Sequence, residues 1–561
     1  MSPAQHQPAI LPAPEADSKL LAGLRADLLA ARFTNERVAQ LLGEDALAAL
    51  QRDQPVPAEL RVHQLLRAEP APDPCAVLTG LWLLGLEIPA AQLQEALPQV
   101  GVEGLCRLNL VHPAAPGSAA APGSPVTEAP AAGHDVERYR PSVDLRPYQA
   151  EQAHGLCDLW VASDLPAAQV TGPLHPEHVL GIGGASLTLA ASIHRAPVRS
   201  ALEIGTGCGI QLLHLLDHAE HVVATDLSRR ALDFTRFNLV LNAAALRLDP
   251  MNLEARVELV QGSLLEPVAG RRFDLIISNP PFVITPRPKH EQIDARYTYR
   301  DGGRAGDLLM AELIAALPEH LAEAGSAQLL GNWEIQDHAA WDARPRLWCE
   351  AFPAQVDAWF IQRDRQDSAE YAETWLRDAS TQREPQSYRR RYMEYLDDFA
   401  SRGVLAVGFG MIFIRRRAAA PGPGAPWRRF EELTGAVEQP LGPVIGATAT
   451  RAETVARDPQ SVLEAVLTVA PDVTEERHQR FGAVHPEVIL ARQGSGLRRS
   501  RAVSSAAAGF LGAADGEYQA AALTAAVAAL LAEETTEQAN LQQALRSEIL
   551  ELYLEGYLAE S

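Results

Sequence analysis

The chain has 561 residues and a formal charge of −22, with ordinary apolar content for a folded protein. This length is sufficient for two to four domains with cores of their own. The negative charge argues against nonspecific coating of nucleic acid, because phosphate binding needs a positive surface, although it allows a local basic groove. The five cysteines are scattered singly, which predicts reduced thiols and neither a metal site nor a disulfide framework. We see no secretory signal and no apolar run that could span a bilayer, so we expect a cytoplasmic protein without a membrane partner.

The N-terminal part of the chain alternates between low-complexity and helical sequence. Residues 1–15 are rich in Pro and Ala and predict a disordered tail, whereas residues 16–112 predict short helices followed by a strand. This order favours a winged-helix-like domain, with a plain helical cap as the alternative. Residues 113–135 consist mostly of small residues and proline, which cannot build a core, and they predict a flexible linker.

Strands and helices alternate over residues 136–417, which predicts a doubly wound α/β sheet. One apolar strand runs into Gly205-Thr206-Gly207-Cys208-Gly209, where glycines let the backbone turn tightly and approach a ligand closely. The next strand ends in Asp226, about twenty residues beyond the glycines, the usual offset for a carboxylate on ribose hydroxyls. The spacing differs from the G-x-G-x-x-G fingerprint, so taken alone it leaves dinucleotide and other nucleoside ligands open.

A further strand, predicted at residues 273–278, stops in Asn279-Pro280-Pro281-Phe282. Two consecutive prolines remove two backbone donors and forbid continuation of the strand. An amide and an aromatic ring are therefore held at the carboxyl end of a strand, where ligands bind in open α/β sheets. The Asn279 oxygen and the Pro280 carbonyl can both accept from one –NH2 group, and Phe282 can stack on a flat system. These four residues predict a site for adenine N6, guanine N2, cytosine N4 or glutamine Nε.

With the two motifs in this order, the chain resembles the class I S-adenosylmethionine-dependent methyltransferases over roughly residues 150–417. Within that family it is similar to the branch that carries (Asn/Asp)-Pro-Pro-(Tyr/Phe) and methylates amino nitrogens of bases or of glutamine. The resemblance implies S-adenosylmethionine as the cofactor and a seven-stranded Rossmann-like sheet. Its last two strands, predicted at 356–361 and 404–414, would be antiparallel.

The resemblance also implies roles for individual residues. The residues that would line the methionine side of the cofactor are Glu203, Gly205, Thr206, Gly207 and Gly209. Asp226, beside Leu227, would bind the ribose of the cofactor. The target would be held by Asn279, Pro280, Pro281 and Phe282, and Asn279 would also face the cofactor. We expect residues 183–186, which start a helix, to touch the cofactor, the alternative being a plain helix-start turn. Many relatives carry an Asp near the cofactor's adenine where this chain has Gly262-Ser263-Leu264, so Ser263 or the backbone there is expected to contact that base.

The remaining predictions concern the substrate and the C-terminal region. The motif is followed by a polar, Gly-rich connection, residues 286–307, that we interpret as a substrate-gating loop. After a linker at 418–425, residues 418–561 predict a second winged-helix-like domain, which by itself does not indicate a function. A local excess of arginine lies beyond residue 381, and it includes Arg389, Arg390, Arg391, Arg415, Arg416, Arg417, Arg428, Arg429, Arg498, Arg499 and Arg501.

Tyr388, Tyr392 and Tyr395 interleave with the first of these arginines, a pattern typical of surfaces that stack bases and bind phosphates. Arg389, Arg390 and Arg391 therefore predict a substrate-binding surface, the alternative being a solvated helix face with the tyrosines packed inward. We predict a methyltransferase acting on rRNA, tRNA or DNA. A protein glutamine is the alternative substrate, and a catalytically silent cofactor-binding scaffold is the alternative function.

Overall fold

The computed structural model describes residues 10–114, 136–170, 174–287, 302–378, 385–418 and 425–561. Most of the predicted linker at 113–135, most of the predicted gating loop, six residues of the linker at 418–425 and the first nine residues of the predicted tail lie outside these ranges. Residues 10–15 do not fit the predicted disorder. Arg230 Nη1 donates to the Leu11 carbonyl at 2.7 Å and Asn109 Nδ2 to the Ala13 carbonyl at 3.0 Å, so this stretch is held against the folded chain.

The N-terminal domain is helical, as the sequence predicted, and ends in a small sheet. Its helices are α1 (Ser18–Ala30), α2 (Asn35–Leu42), α3 (Glu44–Leu50), α4 (Val56–Leu65), α5 (Pro74–Leu78) continued by a π-helical turn (Thr79–Leu83), α6 (Ala90–Ala96) and α7 (Gly101–Arg107). The strands β1 (Ile88–Pro89), β2 (Val111–Pro113) and β3 (Arg138–Pro141) form an antiparallel sheet in the order β1-β3-β2. Because β3 belongs to this sheet, the predicted domain start at residue 136 falls too early. The winged-helix interpretation stays a prediction.

A hairpin of β4 (Asp144–Gln152) and β5 (Gly155–Ser163) follows, and helix α8 (Gly184–Ser192) leads into the central sheet. The elements from there on are β6 (Val198–Ile204), α9 (Ile210–Leu215), β7 (Ala219–Asp226), α10 (Arg229–Leu241), β8 (Val257–Gln261), β9 (Phe273–Ser278), α11 (Leu308–His320), β10 (Leu321–Gln336), α12 (Ala343–Cys349), β11 (Val356–Asp367), α13 (Ser368–Asp378), α14 (Pro385–Ser401), β12 (Val404–Arg416) and β13 (Arg428–Glu432). Single 3-10 turns lie at Leu253–Ala255 and Glu266–Val268.

The central sheet has eight strands in the order β13-β11-β12-β10-β9-β6-β7-β8. Strands β8, β7, β6, β9 and β10 run parallel, and β12 runs antiparallel to both β10 and β11, as predicted for the last two strands. A mixed α/β fold with a large central sheet is thus confirmed, but the predicted count of seven strands is one too low. The eighth strand, β13, pairs parallel with β11, where Phe430 stacks on Phe360 with ring centroids 5.5 Å apart. Its sequence, with two arginines and two glutamates in five residues, carries little strand signal.

Two buried clusters cover opposite faces of this sheet. One is shared with the N-terminal domain and with the β4–β5 hairpin, and the other is formed with α11 and α12. Two asparagines on α10 fasten the hairpin, because Asn238 Oδ1 accepts from the Ala162 amide at 2.8 Å and Asn242 Oδ1 accepts from the Trp160 amide at 3.0 Å. The N-terminal domain and the hairpin therefore pack on one face of the sheet, and α11 and α12 pack on the other.

The C-terminal region contains α15 (Gly442–Arg457), α16 (Pro459–Glu464), β14 (Val466–Val469), β15 (Val473–His478), β16 (Val488–Gln493), β17 (Ser500–Ala502), α17 (Ser505–Ala513), β18 (Asp515–Gln519), α18 (Ala520–Leu531), α19 (Thr535–Glu555) and β19 (Leu558–Glu560). Two three-stranded sheets result, β18-β14-β19 and β15-β16-β17. The winged-helix interpretation of this region is not confirmed and stays a prediction. In the described ranges, every helix is too short or too polar to cross a membrane.

Candidate active site at the carboxyl edge of the sheet

The residues singled out in the sequence meet at one edge of the central sheet. Ile204 on β6 lies beside Thr225 on β7 and beside Ser278 on β9. The residues that follow these three are Gly205, Asp226 and Asn279. They therefore lie at the same level at the carboxyl edge of the sheet. On the far side of β7, Asp226 lies beside Gln261, the last residue of β8, and Ser263 follows two residues later. The predicted cofactor residues and the target motif are therefore brought together.

The backbone conformation of the loop at residues 205–209 explains why it contains glycines. Gly205 and Gly207 have φ angles of +73° and +57°, which side chains other than glycine rarely adopt. A Cβ atom at either position would meet no atom within 4 Å, so the space beside the loop is open. The amides of Gly205 and Thr206 donate to the Thr225 carbonyl at 2.8 and 3.0 Å, which ties the loop to the adjacent strand end. This is a backbone surface that a ligand can approach closely.

Asp226 is fixed at the centre of the site. Its Oδ2 accepts from the Gly207 amide at 2.9 Å, and its Oδ1 accepts from the Ser228 amide at 2.8 Å. Burial raises the pKa of this carboxyl, and the two amide donors act in the opposite direction. Each oxygen retains a further lone pair for a hydroxyl donor, which suits the predicted contact with a ribose. Leu227 beside it is exposed.

Glu203 lies beneath the glycine loop. It is 2% exposed, and Thr206 Oγ1 donates to its Oε2 at 2.9 Å. Burial raises its pKa to about 8, and the neighbouring Asp226 adds to this shift. The structure therefore places Glu203 as a support of the loop. Its predicted contact with the cofactor stays a prediction, as does the contact of Ser263 with adenine.

The target motif forms a tight turn directly after β9. The Phe282 amide donates to the Pro280 carbonyl at 2.8 Å, which closes a three-residue turn and leaves that carbonyl one further lone pair. Asn279 is half-buried, and no described residue donates to or accepts from its side chain. Phe282 is also half-buried and packs against both clusters that cover the sheet. A Cβ at Gly302 would lie 3.1 Å from the Pro281 carbonyl, so Gly302 lies next to the motif.

The start of α8 approaches the glycine loop from the side. Gln211, in the helix that follows the loop, donates from Nε2 to the Ser186 carbonyl at 2.8 Å. Gly183 and Gly184 precede this contact, and both are exposed with open space at the Cβ position. Residues 183–186 therefore lie next to the loop, and their contact with a cofactor stays a prediction.

Helices α13 and α14 form an insert between β11 and β12, whose facing ends lie at the carboxyl edge of the sheet. The side chains of Arg389, Arg390 and Arg391 on α14 are exposed, which both interpretations of this segment require, so their role in binding a substrate stays a prediction. The accompanying tyrosines do not interleave with them at the surface. Tyr395 is buried, and Tyr388 and Tyr392 pack against the same aromatic cluster, as the alternative interpretation had it. The amphipathic helix turns its aromatic face inward.

Most of the other arginines in the predicted basic region are neutralised. They pair with carboxylates, with Arg415 Nη2 at 2.7 Å from Glu453, Arg417 Nη2 at 2.6 Å from Asp357, Arg429 Nη2 at 2.5 Å from Glu555, Arg499 Nη2 at 3.1 Å from Glu431 and Arg501 Nη1 at 2.8 Å from Glu555. These side chains join β12, β13 and the C-terminal region to one another. The local excess of arginine beyond α14 is therefore balanced by carboxylates at these five residues.

Comparisons with known proteins agree with this geometry. A model of the methyltransferase small domain matches residues 181–295, and a model of a domain of unknown function, DUF7059, matches residues 30–121. The middle of the chain, residues 181–295, is thus similar to the methyltransferase small domain. This confirms the resemblance drawn from the glycine loop and the Asn-Pro-Pro-Phe motif.

Curated relatives belong to the amino-methylating branch. The chain is 32% identical over 174 residues to a release factor glutamine methyltransferase of Geobacter sulfurreducens, covering 29% of this chain and 56% of that protein. It is 27% identical over 198 residues to a ribosomal protein uL3 glutamine methyltransferase of Bradyrhizobium diazoefficiens, covering 34% and 58%. It is 30% identical over 198 residues to a tRNA1(Val) (adenine(37)-N6)-methyltransferase of Klebsiella pneumoniae, covering 34% and 66%. The chain thus spans little more than half of the first two of these relatives.

Proposed function

We propose that this protein is an S-adenosylmethionine-dependent methyltransferase that modifies a planar amino nitrogen. The observation that carries the proposal is the register of β6, β7 and β9, which sets Asn279 beside Gly205 and at the same level of the sheet as Asp226, one strand further on. The open space along the glycine loop and the free lone pairs of Asp226 fit a nucleoside cofactor. When bound, S-adenosylmethionine would supply an electrophilic methyl group.

The residues of the motif would prepare the target for attack. An amino nitrogen on a base or an amide is conjugated, and its lone pair has to leave conjugation to react. Hydrogen bonds from the –NH2 group to the Asn279 oxygen and the remaining lone pair of the Pro280 carbonyl favour that change and orient the nitrogen. Phe282 would hold the flat target by stacking. A strong base is unnecessary, because the amine becomes acidic once it carries the methyl group.

For the substrate we propose a base in RNA or DNA. The three exposed arginines of α14 support this choice, because they place positive charge on the insert that adjoins the motif. The relative named as a tRNA adenine methyltransferase also supports a nucleic-acid substrate. A protein glutamine is the second candidate, favoured by the charge of −22 and by the two relatives named as glutamine methyltransferases. A silent scaffold would have no use for an amine-binding strand end.

The test uses radiolabelled S-adenosylmethionine and separated rRNA, tRNA, DNA and protein fractions from a strain that lacks this chain. We expect label in a nucleic-acid fraction, recovered after digestion as an amino-methylated base, and none with Asn279→Ala. Label recovered as N5-methylglutamine from the protein fraction would select the second candidate. Binding of the cofactor without label in any fraction would contradict the proposed activity and favour the scaffold.

A further inference from the structure

Tyr371 joins the helical insert to the chain that leaves the target motif. Its hydroxyl accepts from the Ile284 amide at 2.8 Å, and Asn332 Nδ2 lies 3.4 Å from the same oxygen. Ile284 is two residues beyond Phe282, and Asn332 lies on β10, the strand beside the motif's own strand. One hydroxyl on α13 thus contacts both the exit of the motif and its neighbouring strand.

The ring that carries this hydroxyl has little freedom. Tyr371 is fully buried, it stacks on Phe409 with centroids 5.8 Å apart, and it meets the edge of Phe399 at 5.5 Å. These contacts come from α14 and β12, so three elements of the insert region fix one oxygen atom. A phenol held in this way can define the position of the backbone it binds.

The motif itself is short of backbone donors. Pro280 and Pro281 have no amide hydrogen, and the Phe282 amide is used inside the turn. The orientation of the turn therefore depends on hydrogen bonds made by the residues that follow it. One of these bonds is donated by the Ile284 amide to the Tyr371 hydroxyl. None of these contacts involves the glycine loop or Asp226.

We propose that Tyr371 is a positioning residue of the amino-methylating site. By holding Ile284 it orients the Pro280 carbonyl and the Phe282 ring toward the target nitrogen, and it leaves the cofactor loop untouched. This inference rests on the proposed function. Sites of this kind need to be held within about 0.5 Å, and a misplacement of about 1 Å can cost a hundredfold in rate.

The experiment compares Tyr371→Phe with Tyr392→Phe. The matched control lies on the same insert, and the hydroxyl that it loses donates to Glu373 at 3.1 Å and to no described residue of the motif. We expect Tyr371→Phe to speed amide hydrogen exchange at Ile284, to lower kcat roughly tenfold or more on the acceptor fraction that the wild type labels, and to leave the affinity for S-adenosylmethionine unchanged. Tyr392→Phe should match the wild type in all three.

The outcomes separate this inference from the proposed function. Faster exchange with an unchanged kcat would overturn the positioning role, and so would an equal loss of cofactor affinity, which would indicate general destabilisation. Fast exchange at Ile284 in the wild type would overturn it as well, because the bond would then not hold the segment. If the wild type labels no fraction, the proposed activity fails, while the exchange rates still decide whether Tyr371 holds residues 282–284.

Discussion

The Ser278 hydroxyl donates a 2.9 Å hydrogen bond to the Ile204 carbonyl, although the two residues are 74 positions apart in the chain. Both are buried, and each is the last residue of its strand. Ile204 precedes the glycine loop and Ser278 precedes the target motif, so this bond fixes the distance between the two halves of the site. A transfer between two bound molecules depends on such fixed separation, because proximity and orientation account for much of the rate.

Asn279→Ala should remove an acceptor for the target amine. We expect kcat to fall about a hundredfold or more, a cost of about 3 kcal/mol at about 1.36 kcal/mol per decade. S-adenosylmethionine should still bind, as measured by calorimetry, because Asp226 and the glycine loop are intact. A variant with nearly normal kcat would mean that the motif only ends a strand.

Phe282→Ala should act mainly on substrate binding. Stacking of a base on an aromatic side chain contributes about 1–3 kcal/mol, so we expect KM for the acceptor to rise by one to two decades. Phe282→Trp retains a flat face and serves as the control, with a KM close to that of the wild type. Steady-state kinetics at saturating cofactor decide the result, and a loss confined to kcat would exclude stacking as the role of this ring.

Local signals in the sequence were sufficient for the cofactor loop and the motif. A left-handed conformation needs glycine at Gly205 and Gly207, and consecutive prolines must end the strand before Phe282, whatever the rest of the chain does. The eighth strand was missed because the polar sequence of residues 428–432 pairs only when β11 offers its edge. Tyr371 was missed for the same kind of reason. Its role depends on Ile284 and Asn332, 87 and 39 positions away, and no pattern around Tyr371 indicates either partner.

Asp226→Ala should weaken the binding of S-adenosylmethionine. The variant loses the carboxylate that we assign to the ribose and leaves the Gly207 amide without its partner, a loss of about 1–3 kcal/mol in binding free energy. Asp233→Ala is the control, since Asp233 lies on α10 and pairs with Arg229 at 3.0 Å. Calorimetry should show the loss for Asp226→Ala alone. Equal or tighter binding of NAD by the wild type would contradict the cofactor assignment.

Replacing Arg389, Arg390 and Arg391 together by Ala should raise KM for a nucleic-acid substrate. Exposed arginines that contact phosphates release counterions on binding, so the variant should also show a flatter dependence of KM on salt. The control removes the same charge elsewhere, by replacing Arg477, Arg480 and Arg492, which pair with glutamates at 2.9, 2.7 and 2.8 Å. An unchanged salt response in the first variant would mean that α14 presents only a solvated face.

Glu203→Gln should change how the stability of the protein depends on pH. Burial raises the pKa of Glu203 to about 8 from its ordinary value of 4.5, so between these values the folded chain binds more protons than the unfolded chain. The contribution of neutral Glu203 to the free energy of unfolding is fully present below about pH 4.5, and it is lost as the pH rises toward about 8. Glutamine stays neutral and can still accept a hydrogen bond from Thr206. The melting temperature of Glu203→Gln minus that of the wild type should therefore increase from pH 5 to pH 8. Thermal scans of both proteins at about four pH values measure this difference. Glu220→Gln, at an exposed position on β7, should follow the wild type. A constant difference between Glu203→Gln and the wild type over this range would show that Glu203 is already ionised beneath the glycine loop.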